Sequence, residues 1–242
     1  MNQDLIVRGF RIDWDKIPDD SYLRDIPSIK ELNEIWFETP VSYFAGENGS
    51  GKSTLLEAVA IAYGFNPEGG TLNYSFSTFD SHSELCRAMK LIRSYRKAAW
   101  GYFLRAESFY NVATKEAEYS RDPSSKTPPE DLHFKSHGES FLAAASRHFR
   151  PGGFYILDEP EAALSAQGQI TLLAEINESV KHGSQFIIAT HSPILLGFPG
   201  ATIYSLDDKM RVIDYEDTDS YRLTSLFLNH REMILSKLFD ED

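Results

Sequence analysis

Short apolar runs separated by stretches with a helical repeat organise the chain. Leu5 to Ile12 alternates and is rich in β-forming residues, and Val41-Ser42-Tyr43-Phe44-Ala45 follows Pro40, a residue tolerated at the first position of a strand. These runs predict two early strands on either side of a less regular stretch that contains Pro27 and Trp36. Ser53 to Tyr63 carries Leu55, Leu56, Val59 and Ala62 ahead of Gly64, which is the spacing and the stop signal of a helix. Glu84 to Tyr95 predicts a second helix, Gly101 to Arg105 a short strand, and Asp122 to Asp131, rich in proline and serine, an exposed loop. Farther on, helices are predicted over Glu139 to Phe149 and over Gln169 to Lys181, the latter stopped by Gly183, with apolar strands at Phe154 to Leu157 and Phe186 to Ala189. Ala201 to Leu206 and Arg211 to Tyr215 predict a hairpin around Asp207-Asp208-Lys209, and Tyr221 to Leu238 a helical tail.

Apolar runs alternating with helices imply an α/β chain built on a mostly parallel sheet buried on both faces. One domain is expected over 1–242, with a lobe inserted at about 69–135 and a C-terminal hairpin and tail at about 207–242. At 242 residues and 42% hydrophobic content the chain can bury a sizeable core. No run approaches the ~20 apolar residues of a membrane helix, and Met1 to Asp4 lacks the basic and apolar regions of a signal peptide. The single cysteine, Cys86, leaves neither an internal disulfide nor a zinc cluster. These features predict a cytoplasmic protein with no membrane partner, and the net charge of -12 argues against a broadly basic surface that tracks phosphate backbones.

Gly46-Glu47-Asn48-Gly49-Ser50-Gly51-Lys52-Ser53-Thr54 matches G-x-x-x-x-G-K-[ST] at every fixed position and sits between a predicted strand and a predicted helix. The glycines let the backbone N–H groups of Gly46, Asn48, Gly49, Ser50, Gly51 and Thr54 turn toward phosphate oxygens, and the helix start adds partial positive charge. Lys52 reaches the terminal phosphates and Ser53 supplies a hydroxyl to Mg²⁺. A glycine-rich turn alone would explain the glycines but not Lys52-Ser53 in register. Phe154-Tyr155-Ile156-Leu157-Asp158-Glu159 ends an apolar strand in two carboxylates, at the strand end where such sheets bind ligands. Asp158 suits Mg²⁺, and Glu159 suits the orientation and deprotonation of an attacking water.

Ser136-His137-Gly138-Glu139-Ser140 ahead of a helix resembles the signature motif of ATP-binding-cassette proteins, with Ser136, Gly138 and Glu139 matching and His137 departing from its first glycine. Ala162-Ala163-Leu164-Ser165 resembles that family's dimer-contacting loop, and Ala189-Thr190-His191-Ser192-Pro193 its switch histidine. The resemblance implies a homodimer formed on ATP binding, in which Ser136 and Gly138 act on the partner's nucleotide and His191 contacts the γ-phosphate in its own subunit. The residues alone also allow Ser136 as a plain helix cap boxed by Glu139, and His191 as a structural side chain.

The transporter glutamine loop is missing; Gly101 to Ser108 offers Arg105 and Glu107 instead. More fully, the chain resembles stand-alone bacterial ATPases whose heads are similar to those of chromosome-maintenance and recombination-repair ATPases, although Gly51 and Ser136 stand too close in sequence for a long coiled coil. By that resemblance Arg11 approaches the nucleotide; as a residue it serves equally as a surface partner of Asp13 or Asp15. The implied activity is ATP hydrolysis with Mg²⁺, coupled to a nucleic-acid or protein effector in repair, defence or toxin control. The alternative is the nucleotide-binding subunit of a membrane transporter. A GTPase is disfavoured by the lack of an Asn-Lys-x-Asp motif.

Overall fold

Which strand positions are covered decides the architecture. The computed structural model describes residues 5–72, 84–106, 137–207 and 209–239. The first strand, β1 (Val7–Ile12), pairs antiparallel with β2 (Glu34–Trp36), placing Phe10 opposite Ile35. Then β3 (Val41–Ala45), buried throughout, leads into α1 (Lys52–Tyr63), β4 (Gly70–Thr71), α2 (Leu85–Ala88), β5 (Met89–Arg93) and β6 (Gly101–Arg105). After the next described stretch begins come α3 (His137–His148), β7 (Phe154–Asp158), α4 (Ala166–Lys181), β8 (Gln185–Ala189) and the short α5 (Pro193–Leu196). The described chain closes with β9 (Thr202–Ser205), β10 (Arg211–Ile213), α6 (Asp219–Asn229) and α7 (Arg231–Phe239).

The strands form two sheets among the described residues. The larger runs β10-β9-β3-β8-β7-β6-β4, with β9, β3, β8, β7 and β6 parallel and an antiparallel strand at each edge. The smaller is antiparallel, in the order β2-β1-β5. Side chains of a strand alternate between faces, and β7 displays this directly. Phe154 and Ile156 join Phe44, Leu55, Val59 and Ile187 in a core beneath α1 and the smaller sheet, whereas Tyr155 and Leu157 join Phe141, Leu172 and Ile188 in a second core beneath α3 and α4. With both faces covered, the parallel strands can be apolar on both sides, as β7 is until Asp158 and β8 is after Gln185.

Several expectations are corrected. Glu84 to Tyr95 is not one helix: a single turn, α2, gives way at Met89 to β5, which pairs with β1 from Met89↔Ile12 to Arg93↔Val7. That ladder is long-range, and its pairing outweighs the local helical spacing. Trp36 belongs to β2 rather than to an irregular stretch. Of the expected lobe at 69–135, β4 and β6 pair into the main sheet and β5 into the smaller one, while 73–83 and 107–135 lie outside the described residues. The loop expected at Asp122 to Asp131 lies outside the described residues. The tail is two helices, interrupted at His230, rather than one.

A buried side chain of β8 helps to tie the two sheets together. Gln185 accepts the backbone N–H groups of Ile6 and Val7 at 2.8 and 2.9 Å and donates to the Val7 carbonyl at 2.8 Å. Gln185→Leu strands those buried groups, each worth about 1–3 kcal/mol when unsatisfied. It should lower unfolding free energy by about 3 kcal/mol, read from denaturant midpoints, whereas nucleotide affinity measured well below the midpoint changes little.

Candidate functional site

Parallel pairing brings three strand ends together: Phe44 lies opposite Ala189, and Ala189 opposite Asp158. The loop after β3, the acids after β7 and the histidine after β8 therefore share one edge of the sheet. In the loop, Gly46, Gly49 and Gly51 have positive φ, and Gly51 starts α1 without a side-chain cap. The first N–H groups of the helix are thus left for an anion. Ser50 Oγ is buried with no hydrogen-bond partner among the described residues, a hydroxyl at the centre of the loop that a phosphate oxygen would satisfy. Asn48 and Gly49 form the exposed tip, and Thr54 is half-buried on the first turn of α1.

Lys52 is 3% exposed, and its Nζ donates to the Gly46 and Glu47 carbonyls at 2.7 and 2.8 Å. It also lies 4.0 Å from Glu159 Oε1. Ser53 Oγ donates to Asp158 Oδ1 at 2.9 Å, so hydroxyl and carboxylate face each other as a hard-cation site requires. These all-oxygen donors fit Mg²⁺, which normally takes few protein ligands and completes its shell with water and phosphate. Among the described residues no cluster of three or more His, Cys, Asp or Glu forms a separate metal site.

Glu159 is the one described non-glycine residue with positive φ, 47°. Its N–H donates to the Ala189 carbonyl at 2.9 Å, and Pro160 opens the next turn, so its neighbours on both sides hold the strained conformation. A left-handed glutamate costs about 1–2 kcal/mol. Here it directs a one-third-exposed carboxylate toward Lys52.

Register sets Arg105 beside Asp158. Its Nε stands 3.5 Å from Asp158 Oδ2, while Nη1 lies 2.7 Å from Glu57 Oε2 and donates to the Pro67 carbonyl. Arg105 is thus engaged with carboxylates rather than pointing free toward a phosphate. Glu107 and Ser136 lie outside the described residues. Gly138 stands at the start of α3, where a Cβ would sit 3.1 Å from the Ala163 carbonyl, and Glu139 follows in the first turn, where an acid suits the helix dipole. Arg11, on the smaller sheet, is exposed and pairs with Glu34 at 2.8 Å. The alternative expected from sequence is corrected: Asp13 pairs with Lys16 and Lys90 instead.

His191 is half-exposed, with Nδ1 3.3 Å from Glu161 Oε1. Ser192 caps α5 and donates to Gln169 Oε1 at 2.5 Å, linking the histidine segment to the first turn of α4. Two acids of the site carry more than sequence reasoning assigned them. Asp207, just past β9, accepts the Glu47 N–H at 2.8 Å and contacts Ser205 Oγ, pinning the phosphate loop from the side. Glu161, considered only as part of a loop, holds Thr190 and His191. A cavity of about 140 Å³ opens between Gly46, Glu47, His191 and Asp207 on one side and Leu223 of α6 on the other.

With this geometry in place, relatives can be compared. An AAA domain family model matches residues 22–127. The cobalt import ATP-binding protein CbiO of Salmonella paratyphi A is 26% identical over 207 residues, covering 78% of this chain and 73% of that protein. CbiO of Salmonella typhimurium is 26% identical over 204 residues, covering 77% and 72%. In fold, the SMC head domain from Thermotoga maritima superposes with a TM-score of 0.50 at 16% identity, covering 87% of this chain and all of that one. The chain is an ATPase, similar in sequence to ATP-binding-cassette proteins.

In this ATPase the back of the phosphate loop is built by residues 26–29. Ser28 Oγ donates to the Ser50 carbonyl at 2.5 Å, and a Cβ at Gly51 would meet Ile29 Cδ1 at 2.9 Å and Ile26 Cγ2 at 3.0 Å. Gly51 also has φ +95°, so Gly51→Ala combines strain with overpacking. It should destabilise the nucleotide-free ATPase by about 2 kcal/mol in chemical unfolding and weaken ATP binding by calorimetry.

Proposed function

We propose that two copies of this ATPase close around Mg-ATP and hydrolyse it at their shared face, and that the cycle drives a protein or nucleic-acid effector. The observation that carries this reading is the cluster at the strand ends, Lys52 against Glu159 and Ser53 against Asp158. Backbone N–H groups of Gly46 to Thr54 and the Lys52 ammonium bind the phosphates; on ATP binding Lys52 exchanges its loop carbonyls for phosphate oxygens. Ser53 and Asp158 hold Mg²⁺, which when bound offsets charge on the phosphates. Glu159 orients the water and takes its proton. His191 contacts the γ-phosphate from the same subunit. Ser136 and Gly138, with Glu139 beside them at the start of α3, act on the partner's nucleotide, where a hydroxyl and a helix start are both anion ligands. Arg11 approaches the nucleotide only after release from Glu34.

The net charge of -12 favours a protein effector over direct contact with nucleic acid. A second reading, a transporter subunit, is supported by the similarity to proteins named for cobalt import. Among the described residues no helix is long and apolar enough to cross a membrane; co-purification with membranes distinguishes the two readings.

Lys52→Ala should reduce ATP turnover by about 10²–10³-fold, because it removes the charge aimed at the phosphates. Glu159→Gln should keep ATP affinity and double the solution mass only with Mg-ATP, measured by light scattering. A Glu159→Gln chain that stays monomeric with saturating Mg-ATP contradicts closure of two copies, and ordinary turnover in that variant contradicts the role of Glu159 as base.

A further inference from the structure

Glu161 presents an unusual arrangement for an acid next to a phosphate site. Its side chain is 7% exposed, and Oε1 gathers three groups: the Thr190 hydroxyl at 2.6 Å, the His191 backbone N–H at 2.8 Å and His191 Nδ1 at 3.3 Å. Oε2 is buried with no hydrogen-bond partner among the described residues. A buried carboxylate left half-satisfied is costly, so its retention beside a histidine calls for a reason beyond packing. The Tyr43 hydroxyl is buried nearby, and burial together with the Glu161 charge pushes its pKa up, so the phenol stays neutral and adds no competing charge.

An ionised carboxylate only accepts hydrogen bonds, so the ring nitrogen that faces it carries the hydrogen. We propose that Glu161 is a positioning residue for His191: it holds the ring as the Nδ1–H form and turns Nε2 toward the cavity shared with Gly46 and Glu47. The Thr190 hydroxyl and the His191 backbone N–H both fix Oε1, so the ring orientation is set before any ligand arrives. The same device, a carboxylate behind an imidazole, sets tautomer and direction wherever histidine must present one chosen nitrogen. Its consequence for turnover rests on the reading of His191 as a γ-phosphate ligand. In that reading Nε2 is the nitrogen turned to the γ-phosphate, which it can serve as a donor only when it too carries a hydrogen.

The test is nitrogen NMR of the full nucleotide-free chain with labelled histidine, the His191 signal being assigned by its loss in His191→Gln. The parent ring is expected in the Nδ1–H form, and Glu161→Ala should return it to the Nε2–H form that free histidine favours. In parallel, kcat should fall about 10–100-fold in Glu161→Ala with KM changed less than about twofold, the loss typical of removing a carboxylate that orients a functional histidine. Glu161→Gln, which keeps an acceptor oxygen for Thr190 and the His191 N–H, should fall less. A parent ring in the Nε2–H form overturns the proposal even if no Glu161 variant folds. The expected tautomer together with normal turnover of His191→Gln would keep the positioning role and remove His191 from the phosphate site, so the two readings fail separately.

Discussion

Parallel pairing among β3, β8 and β7 is the constraint on which the site depends. In a parallel ladder the strands share one direction, so their carboxyl ends meet at one edge, and the turn after each strand opens there. Here the register aligns Phe44, Ala189 and Asp158, so three segments far apart in sequence deliver a phosphate loop, two acids and a histidine to one place. Slipping any one strand by a residue would exchange its two faces, moving Tyr155 and Leu157 into the core under α1 and Phe154 and Ile156 into the other. Because both faces are packed, the cores that hold the sheet also fix the register of the candidate site. The fold and the site are in this sense specified by the same alternation.

Around that edge, charge is buried only where another charge or a row of carbonyls meets it. Arg105 lies between Glu57 and Asp158, and Lys52 between two loop carbonyls with Glu159 just beyond. Such pairs add little net stability once desolvation is counted, and removing one partner is far more costly than never having had the pair. Their use here is orientation. Arg105 holds one oxygen of Asp158 while the other accepts from Ser53, so the carboxylate reaches the site with its rotation already set. Preorganised charge of this kind needs no rearrangement at the moment of reaction.

Legibility in the sequence followed the same physics. The loop at Gly46 to Ser53 was readable because phosphate geometry demands glycines and a Lys-Ser pair at fixed spacing, and the strand ending in Asp158-Glu159 because a strand covered on both faces must be apolar until it emerges. β5 was not readable: Met89 to Arg93 makes its hydrogen bonds to β1, nearly eighty residues away, and nothing in its own spacing announces that partner. Asp207 and Gln185 were missed for a related reason. Each is a single polar residue at the end or the start of a strand, unremarkable in sequence, whose task is set by a neighbour that only tertiary pairing supplies. β4 and β6, expected within an inserted lobe, instead pair into the main sheet, an allegiance that only tertiary pairing supplies.

Strain at Glu159 shows how the sheet edge is turned into a reactive surface. A strand continuing straight past Asp158 would alternate the next side chain to the opposite face, away from the lysine. Switching Glu159 into the left-handed region breaks that alternation within one residue, and Pro160 with its fixed φ keeps the chain from resuming it. The Ala189 carbonyl then captures the Glu159 N–H, so the hydrogen bond that locks the bend comes from the strand carrying His191. Acid and histidine are thereby coupled through one backbone bond, and a shift of either strand end would move both. The strain is therefore part of how the site is held together: a conformation unfavourable alone is maintained because releasing it would disturb the ladder that aligns everything else.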